Sequence, residues 1–286
     1  MIRKEKQMNS FLIIANSDKD INLELSNNIL NYLEEHNAKG LLVSADAKYY
    51  ENNLIKDEYL QDVQAIIVLG GDGTMLRAAR TVGKDIPFLG INLGTLGFLA
   101  EVEVANLYKA IDRLLADDYR IEKRMMIEGR VGDKVYHSLN DIVITRAGFS
   151  RIIGLAVYVN GELLDTYEAD GVIISTPTGS TGYNLSAGGP IISPRTKAIV
   201  VTPISPHSFS AKSVVFDSLD NISVEIVKKR KTQDTEAIVS FDGDNNMELS
   251  AGDVVNAGIS SKEVSLIKMY DVNFYSVLRD KIGGRE

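Results

Sequence analysis

The chain is predicted to fold as an α/β domain with a parallel sheet, followed by a β-rich, antiparallel, sandwich-like domain, with a C-terminal helix that returns to the first. Three observations carry that expectation. Residues 1–120 alternate short β-branched runs with stretches of helical periodicity, the pattern of a parallel sheet covered on both faces. Residues 121–270 hold short β-branched runs divided by Gly, Asn, Asp and Pro, without long helices, which reads as antiparallel sheet. Residues 271–286 revert to a helical pattern, NFYSVLRDKI, expected to pack on the first domain. With no internal repeat or low-complexity linker, the two domains are expected to share a close interface, with the active site between them.

Along the first domain, FLIIAN reads as a strand, and INLELSNNILNYLEEH as a helix with Ile21, Leu25, Ile29 and Leu33 at helical spacing. GLLVSA, AIIVLG and PFLGINLG are further strands, with a helix at MLRAAR between the last two. VANLYKAIDRLLADD is an amphipathic helix whose apolar side is Leu107, Ile111, Leu114 and Leu115. In the second domain the strands are RMMIEGRV, KVYHSLNDIVITR, LAVYVNGELLDTYEADGVIIST, AIVVTPI, SVVFD, ISVEIV, EAIVSFD and VSLIKMY. Val159-Asn160-Gly161-Glu162 carries the Asn-Gly pair that favours a two-residue hairpin.

Composition narrows the function classes. Hydrophobic residues at 44% and charged residues at 24% are ordinary for a soluble globular protein, and the length suffices for one large or two medium cores. Net charge is −8, and the one dense basic run, Lys228-Lys229-Arg230-Lys231, reads as a solvated hairpin tip, so no nucleic-acid partner is expected. Cysteine is absent, which removes disulfides, thiolate chemistry and cysteine metal sites. The apolar stretch after the charged N-terminus is too short for a signal or membrane segment, so a cytoplasmic protein with no membrane partner is expected.

Four segments look specialised. The strand AIIVLG runs into Gly70-Gly71-Asp72-Gly73-Thr74 and then into a helix, a turn that lets backbone approach a ligand and points free N–H groups at phosphate. A carboxylate there repels phosphate, so Asp72 needs a metal to hold or a proton to remove; the bland alternative is a helix cap. Gly90–Glu101 forms a second loop with Asn92 at the carboxyl end of the sheet, where ligands of open α/β folds gather. Asn140-Asp141 interrupts a strand, which in isolation reads as a bulge. The segment 169–190 packs hydroxyls, amides and glycines between apolar flanks, groups that can hold ribose, amide and phosphate oxygens without adding charge. His207, in a Pro-rich turn, is either a site residue or a packing residue; His36 and His137 read as structural or solvated. A Walker lysine loop, the protein-kinase residue set and a GxGxxG fingerprint are all missing, which disfavours hydride transfer on a Rossmann fold.

Taken together, GGDGT, NLGTLGFL, LNDIVITR, TPTGSTGYNLSAGGP and PISPHSFS resemble the NAD kinase family in order and spacing from about residue 10 to 280. The resemblance implies transfer of a phosphoryl group from ATP to the adenosine ribose 2′-hydroxyl of NAD, giving NADP, by a homodimer or homotetramer. It implies that Asp72 acts as base or as organiser of hydroxyl and metal. Asn140 and Asp141 would bind the adenosine side, and Asp170, Thr178, Thr181, Tyr183 and Ser186 the nicotinamide amide, the ribose hydroxyls and the second adenine, partly across subunits. Gly70, Gly71, Gly73 and Thr74 would meet phosphates, with Asn92, Gly182 and His207 completing the binding set. With few cations expected nearby, Mg²⁺ or another divalent metal would accompany ATP. No protein metal ligands are assigned. Asp141 stands where many members have Glu, Gly182 where Ala is frequent, Ser205 where Cys is, and Lys212 where Arg is. The alternatives are a diacylglycerol-type lipid kinase, which shares the glycine turn, and a non-catalytic NAD-sensing protein.

Overall fold

The computed structural model describes residues 8–44, 47–52, 54–95, 97–148, 152–208, 211–228, 237–270 and 274–282. The chain divides into two compact units, one comprising residues up to Lys123 together with those from Val264 onward, the other Arg124–Glu263.

The first unit runs β1 (Ser10–Ala15), α1 (Glu24–Glu35), β2 (Lys39–Val43), β3 (Tyr50–Glu51), β4 (Leu54–Ile55), α2 (Asp57–Leu60), β5 (Ala65–Gly70), α3 (Asp72–Thr81), β6 (Phe88–Asn92), β7 (Val102–Glu103) and α4 (Leu107–Leu115). Its main strands pair in parallel in the order β2-β1-β5-β6, with Ile13 opposite Ile67 and Ile67 opposite Leu89. Every residue of β5 is buried, as a strand covered on both faces must be. Phe11, Ile13, Ile67, Leu69, Leu89 and Ile91 pack with Ile29 and Leu33 of α1 and with Leu107, Ile111, Leu114 and Leu115 of α4. The face of α4 read from the periodicity is the face that buries, whereas of the face read for the first helix Ile29 and Leu33 are buried and Leu25 is half-buried.

The first helix begins later than its periodicity predicts. Asn22 and Leu23 adopt left-handed backbone, each with φ near 55°, so Ile21 is 70% exposed in a short 3₁₀ turn. Asp20, itself buried, accepts the amides of Leu25 and Ser26 and thereby starts α1. α3 differs in the other direction. It starts at Asp72, three residues ahead of the MLRAAR segment, so the glycine turn and the helix overlap.

The second unit contains β8 (Arg120–Val131, from Arg124), β9 (Lys134–Ser138), β10 (Asp141–Arg146), β11 (Ile153–Val159), β12 (Glu162–Ala169), β13 (Gly171–Ser175), a helical turn α5 (Tyr183–Ser186), β14 (Ala198–Ile204), β15 (Val214–Asp217), β16 (Ile222–Val227), β17 (Ala237–Phe241), β18 (Asp244–Leu249) and the first part of β19 (Val254–Lys268). One antiparallel sheet has the order β15-β14-β13-β10-β17-β18; another joins β12-β11-β16-β19. Alternate residues Ile222, Val224 and Ile226 of one, and Ala237, Val239 and Phe241 of the other, enter a common core with Ile142, Ile174 and Val201, so the sandwich-like expectation holds. Asn160 and Gly161, with φ of 52° and 86°, make the predicted two-residue hairpin between β11 and β12. β19 is much longer than VSLIKMY, because an alternating polar stretch before it also pairs with β16. Of the basic run, Lys228 is exposed after β16, and Lys229, Arg230 and Lys231 lie outside the described residues.

The last helix, α6 (Phe274–Ile282), belongs to the first unit, where Phe274 packs its ring 5.6 Å from that of Phe98. Among the described residues no helix is long and apolar enough to cross a membrane.

Candidate active site

In the first unit, the carboxyl end of the parallel sheet opens into a cleft of about 380 Å³. Gly71, Asp72, Gly73, Thr74 and Arg77 line it from the start of α3, Asn16 and Lys19 from the loop after β1, Thr95 and Gly97 from the loop after β6, and Lys281 from α6. Asp72 is the one carboxylate among these residues, and three of them are cations, more positive charge than the sequence led us to expect.

Asp72 is the first helical residue, and its side chain does not cap its own helix. It reaches across to the second loop instead. Oδ2 accepts the amide of Phe98 at 2.8 Å, and Oδ1 those of Leu99 and Ala100 at 3.0 and 3.3 Å. Those amides, with the helix N-terminus, offset the charge that made a carboxylate look misplaced in a phosphate turn. A β-carbon on Gly97 would lie 2.0 Å from Oδ1, so only glycine leaves room for this carboxylate.

The glycines of the turn serve different ends. Gly70 lies at the end of β5 and does not line the cleft; a β-carbon there would sit 2.2 Å from the Thr74 hydroxyl. Gly71 is extended and Gly73 helical, so neither uses the left-handed backbone that glycine permits. A β-carbon on Gly73 meets nothing within 4 Å, and one on Gly71 meets only Lys19 Nζ at 3.6 Å. Protein packing therefore explains Gly70, while Gly71 and Gly73 border open space at the cleft. Thr74 is buried, and its hydroxyl accepts from Asn16 Nδ2 at 3.4 Å. Asn92, also buried, ends β6 with Oδ1 accepting the Gly94 amide, and its Nδ2 finds no acceptor among the described residues. At the far end of this loop the buried Glu101 binds Lys268 Nζ and the Met269 amide at 2.8 and 2.9 Å, tying the loop to β19.

The second unit repeats the carboxylate device. Asp242 takes the amides of Leu139, Asn140 and Asp141 at 2.8, 2.8 and 3.1 Å, and thereby fixes the Asn-Asp pair. The Asn140 carbonyl accepts the Thr176 amide at 2.8 Å, and the Thr176 hydroxyl donates to the Leu139 carbonyl. Gly179 packs against the Asn140 backbone, where a β-carbon would be 2.2 Å from its oxygen; one on Gly182 would be 3.5 Å from Asn140 Nδ2. The fold thus gathers Asn140, Asp141, Thr178, Thr181 and Gly182. Thr178 accepts from the buried Arg124, and the Thr181 hydroxyl donates to the Thr178 carbonyl. Asp141 is 6% exposed. Burial, aided by the charge of Asp242, pushes its carboxyl up to about 7.

The Thr/Ser/Gly segment is an ordered loop. Asn184, fully buried, donates to the carbonyls of Ser180 and Pro190 and accepts from Thr202, and Ser180 bridges Pro177 and Ile192. Held on that frame, Tyr183 and Ser186 are exposed on α5. Asp170 and His207 are elsewhere. Asp170 precedes β13 whereas Thr178 follows it, with the five-residue strand, about 13 Å long, between them. Asp170 pairs with Arg146 at 2.7 Å, and the exposed His207 hangs nearby, its amide donating to Glu168.

Several residues of these sites escaped the sequence reading. Gly97 lies within NLGTLGFL, but its role needs Asp72 to be seen across from it. Asp242-Gly243 carries an Asp-Gly hairpin signal, with φ of 51° and 74°. Lys19, Arg77 and Lys281 carry no local signal.

Comparison with known proteins gives the following likenesses. Residues 11–119 match the ATP-NAD kinase N-terminal domain and residues 139–269 the ATP-NAD kinase C-terminal domain. The chain is 45% identical to the NAD kinase of Lachnoclostridium phytofermentans, over 97% of this chain and 100% of that protein. It is 44% identical to the NAD kinase of Agathobacter rectalis, over 96% and 99%. Among solved structures, yeast NADH kinase complexed with NADH superposes with TM-score 0.79 at 23% identity, covering 99% of this chain and 89% of that one. An NAD kinase from Archaeoglobus fulgidus in complex with ATP gives 0.78 at 24% identity, covering 94% and 98%.

Proposed function

The chain belongs to the NAD kinase family, and we propose that it transfers the γ-phosphoryl group of ATP to the adenosine ribose 2′-hydroxyl of NAD, with Asp72 facing that hydroxyl. One observation carries the assignment of Asp72: its carboxylate is clamped by three loop amides beside a cleft that, among the described residues, holds three cations and no other acid. A carboxylate has about four acceptor positions, so three amides leave one for a substrate hydroxyl. Phosphoryl transfer asks the protein chiefly for position and charge stabilisation, and the attacking hydroxyl loses its proton late. Asp72 orients the hydroxyl and takes that proton. Gly71, Gly73 and Thr74 meet the phosphates, with Lys19 and Arg77 as counter-charges; Gly70 supports the turn from behind.

A resident metal fits poorly. Among the described residues no group of three acidic or histidine side chains is arranged to hold one, and Asp72 is already committed to amides. Magnesium accordingly enters as part of the donor, bound to ATP, and keeps most of its waters.

Asn140 and Asp141 hold the adenosine side of NAD, while Asn92, buried with its Oδ1 on the Gly94 amide, braces the loop after β6. Thr178, Thr181, Gly182, Tyr183 and Ser186 supply the remaining contacts. Asp170 and His207 lie a strand's length from that group, which supports a homodimer or homotetramer in which they serve a neighbouring copy. A cytoplasmic enzyme goes with this reading. Relatives named NAD kinase along nearly the whole chain favour it over a lipid kinase or a non-catalytic NAD sensor.

The test is a coupled assay of ATP-dependent NADP formation by wild type and Asp72→Asn. Turnover is expected to fall about 10²–10⁴-fold, the usual worth of general-base assistance, while calorimetry still detects NAD. Near-normal turnover in the variant would refute the role of Asp72.

A further inference from the structure

The C-terminal helix contributes a residue to the cleft. Phe274 and Lys281 are seven positions apart on α6, only about 20° from alignment, so they share one face. Both meet the same partner. The Phe274 ring lies 5.6 Å from the ring of Phe98, and Lys281 Nζ is 5.4 Å from its centre. The amide of Phe98 is in turn one of the three that grip Asp72. The face of α6 is thus seated on the loop that sets the reacting carboxylate, and its final turn brings an ammonium into the cleft wall.

A lysine in the last turn of a helix needs no special reason, since it complements the helix dipole. Arg279 lies in the same turn and does that equally well, yet only Lys281 lines the cleft. Charge supplies the reason. Lys19, Arg77 and Lys281 outnumber the single carboxylate Asp72, leaving the cleft with two positive charges in excess. A magnesium-bound nucleoside triphosphate retains about two negative charges once the metal has neutralised part of its chain. Lys19 reaches over Gly71 and Gly94, where their β-carbons would lie 3.6 and 3.2 Å from its nitrogen. It leaves the Phe98 side of the cleft to Lys281.

We propose that Lys281 is a ligand of the donor polyphosphate, so that α6 is part of the donor site. The proposal rests on the NAD kinase reading and deepens it. In the reaction, the ribose oxygen bonds to the γ-phosphorus, the bond from that phosphorus to its bridging oxygen breaks, and the electron pair leaves on the diphosphate. A cation fixed beside the polyphosphate holds the donor in line and stabilises the charge that grows on the departing oxygens. Because the same helix face is seated on Phe98, donor binding and the setting of Asp72 draw on one element.

The test uses the full-length protein with Lys281→Met, Lys281→Gln and Lys281→Arg. The measurements are the Kd of magnesium-ATP by calorimetry without NAD, KM for each substrate, kcat, and the thermal midpoint of the unliganded protein. Lys281→Met and Lys281→Gln are expected to raise the ATP Kd and KM by about tenfold or more, the scale of a hydrogen bond to a charged group. KM for NAD and the unliganded midpoint stay near wild type, and Lys281→Arg restores most of the ATP affinity. An unchanged ATP Kd in Lys281→Gln overturns the proposal, even if kcat falls, because Lys281 would then only brace Phe98. Loss of ATP affinity that Arg cannot restore, matched by a fall in the unliganded midpoint, overturns it as well. A wild-type protein that makes no NADP from ATP refutes the underlying kinase reading instead, so the two failures are separable.

Discussion

Replacing Gly97 with alanine should disable the enzyme by moving Asp72, although residue 97 contributes no functional group. The added β-carbon would lie 2.0 Å from Asp72 Oδ1, 2.6 Å from Cγ and 2.8 Å from Oδ2. Ordinary carbon–oxygen contact is about 3.3 Å or more, so the carboxylate must retreat by roughly 1 Å. That retreat breaks the bonds to Phe98, Leu99 and Ala100, now 2.8, 3.0 and 3.3 Å long. A hydrogen bond to a charged group is worth about 1.5–3 kcal/mol, and the three amides can turn to water when released, so a loss of about 2–4 kcal/mol is expected. A displacement of about 1 Å at a reacting group costs on the order of 10²-fold in rate. The assay is NADP formation with kcat and both KM values, alongside the thermal midpoint and calorimetric NAD binding. We expect kcat to fall at least 100-fold with NAD affinity kept within a few-fold. Gly94→Ala is the control, since its β-carbon would meet only the movable end of Lys19 at 3.2 Å. Gly97→Ala with wild-type kcat would refute the argument that the three-amide grip sets Asp72 for reaction.

Two further outcomes follow from the sites. A β-carbon on Gly71 would meet no protein atom closer than Lys19 Nζ at 3.6 Å, so Gly71→Val should fold yet raise the apparent constant for ATP at least about tenfold by intruding on phosphate; an unchanged constant means Gly71 serves only the turn. Asp141 predicts a pH effect on stability. Its carboxyl is raised from 3.8 to about 7, first by burial and then by Asp242, so the fold favours its protonated form. The stability this gives is fully present below pH 3.8 and is lost as pH rises through about 7, with a slope of up to about 1.4 kcal/mol per pH unit. Denaturant titrations of wild type and Asp141→Asn should therefore diverge in favour of the variant between about pH 4 and 7. Parallel curves across that window would show that Asp141 does not titrate there.

Much of this protein follows from local sequence. The parallel sheet is legible because β5 is apolar throughout and α4 repeats its apolar positions every three to four residues, and periodicity alone dictates which faces bury. The hairpin at Asn160-Gly161 is legible because two successive left-handed residues nearly demand such a pair. The polar segments at 70–74, 140–141 and 178–186 stand out because hydroxyls, amides and carboxylates between apolar strands need partners. Tertiary structure decided the rest. That Asp72 faces the amides of residues 98–100, that Asp242 holds the Asn-Asp pair from 101 or more residues away, and that Lys281 shares a cleft with Lys19 are all long-range matters. So is the parting of Asp170 and His207 from the loop they flank in sequence. The physical reason is one of range. Periodicity and turn chemistry act over a few residues, whereas a carboxylate's orientation is set by whichever donors the folded chain brings to within 3 Å of it.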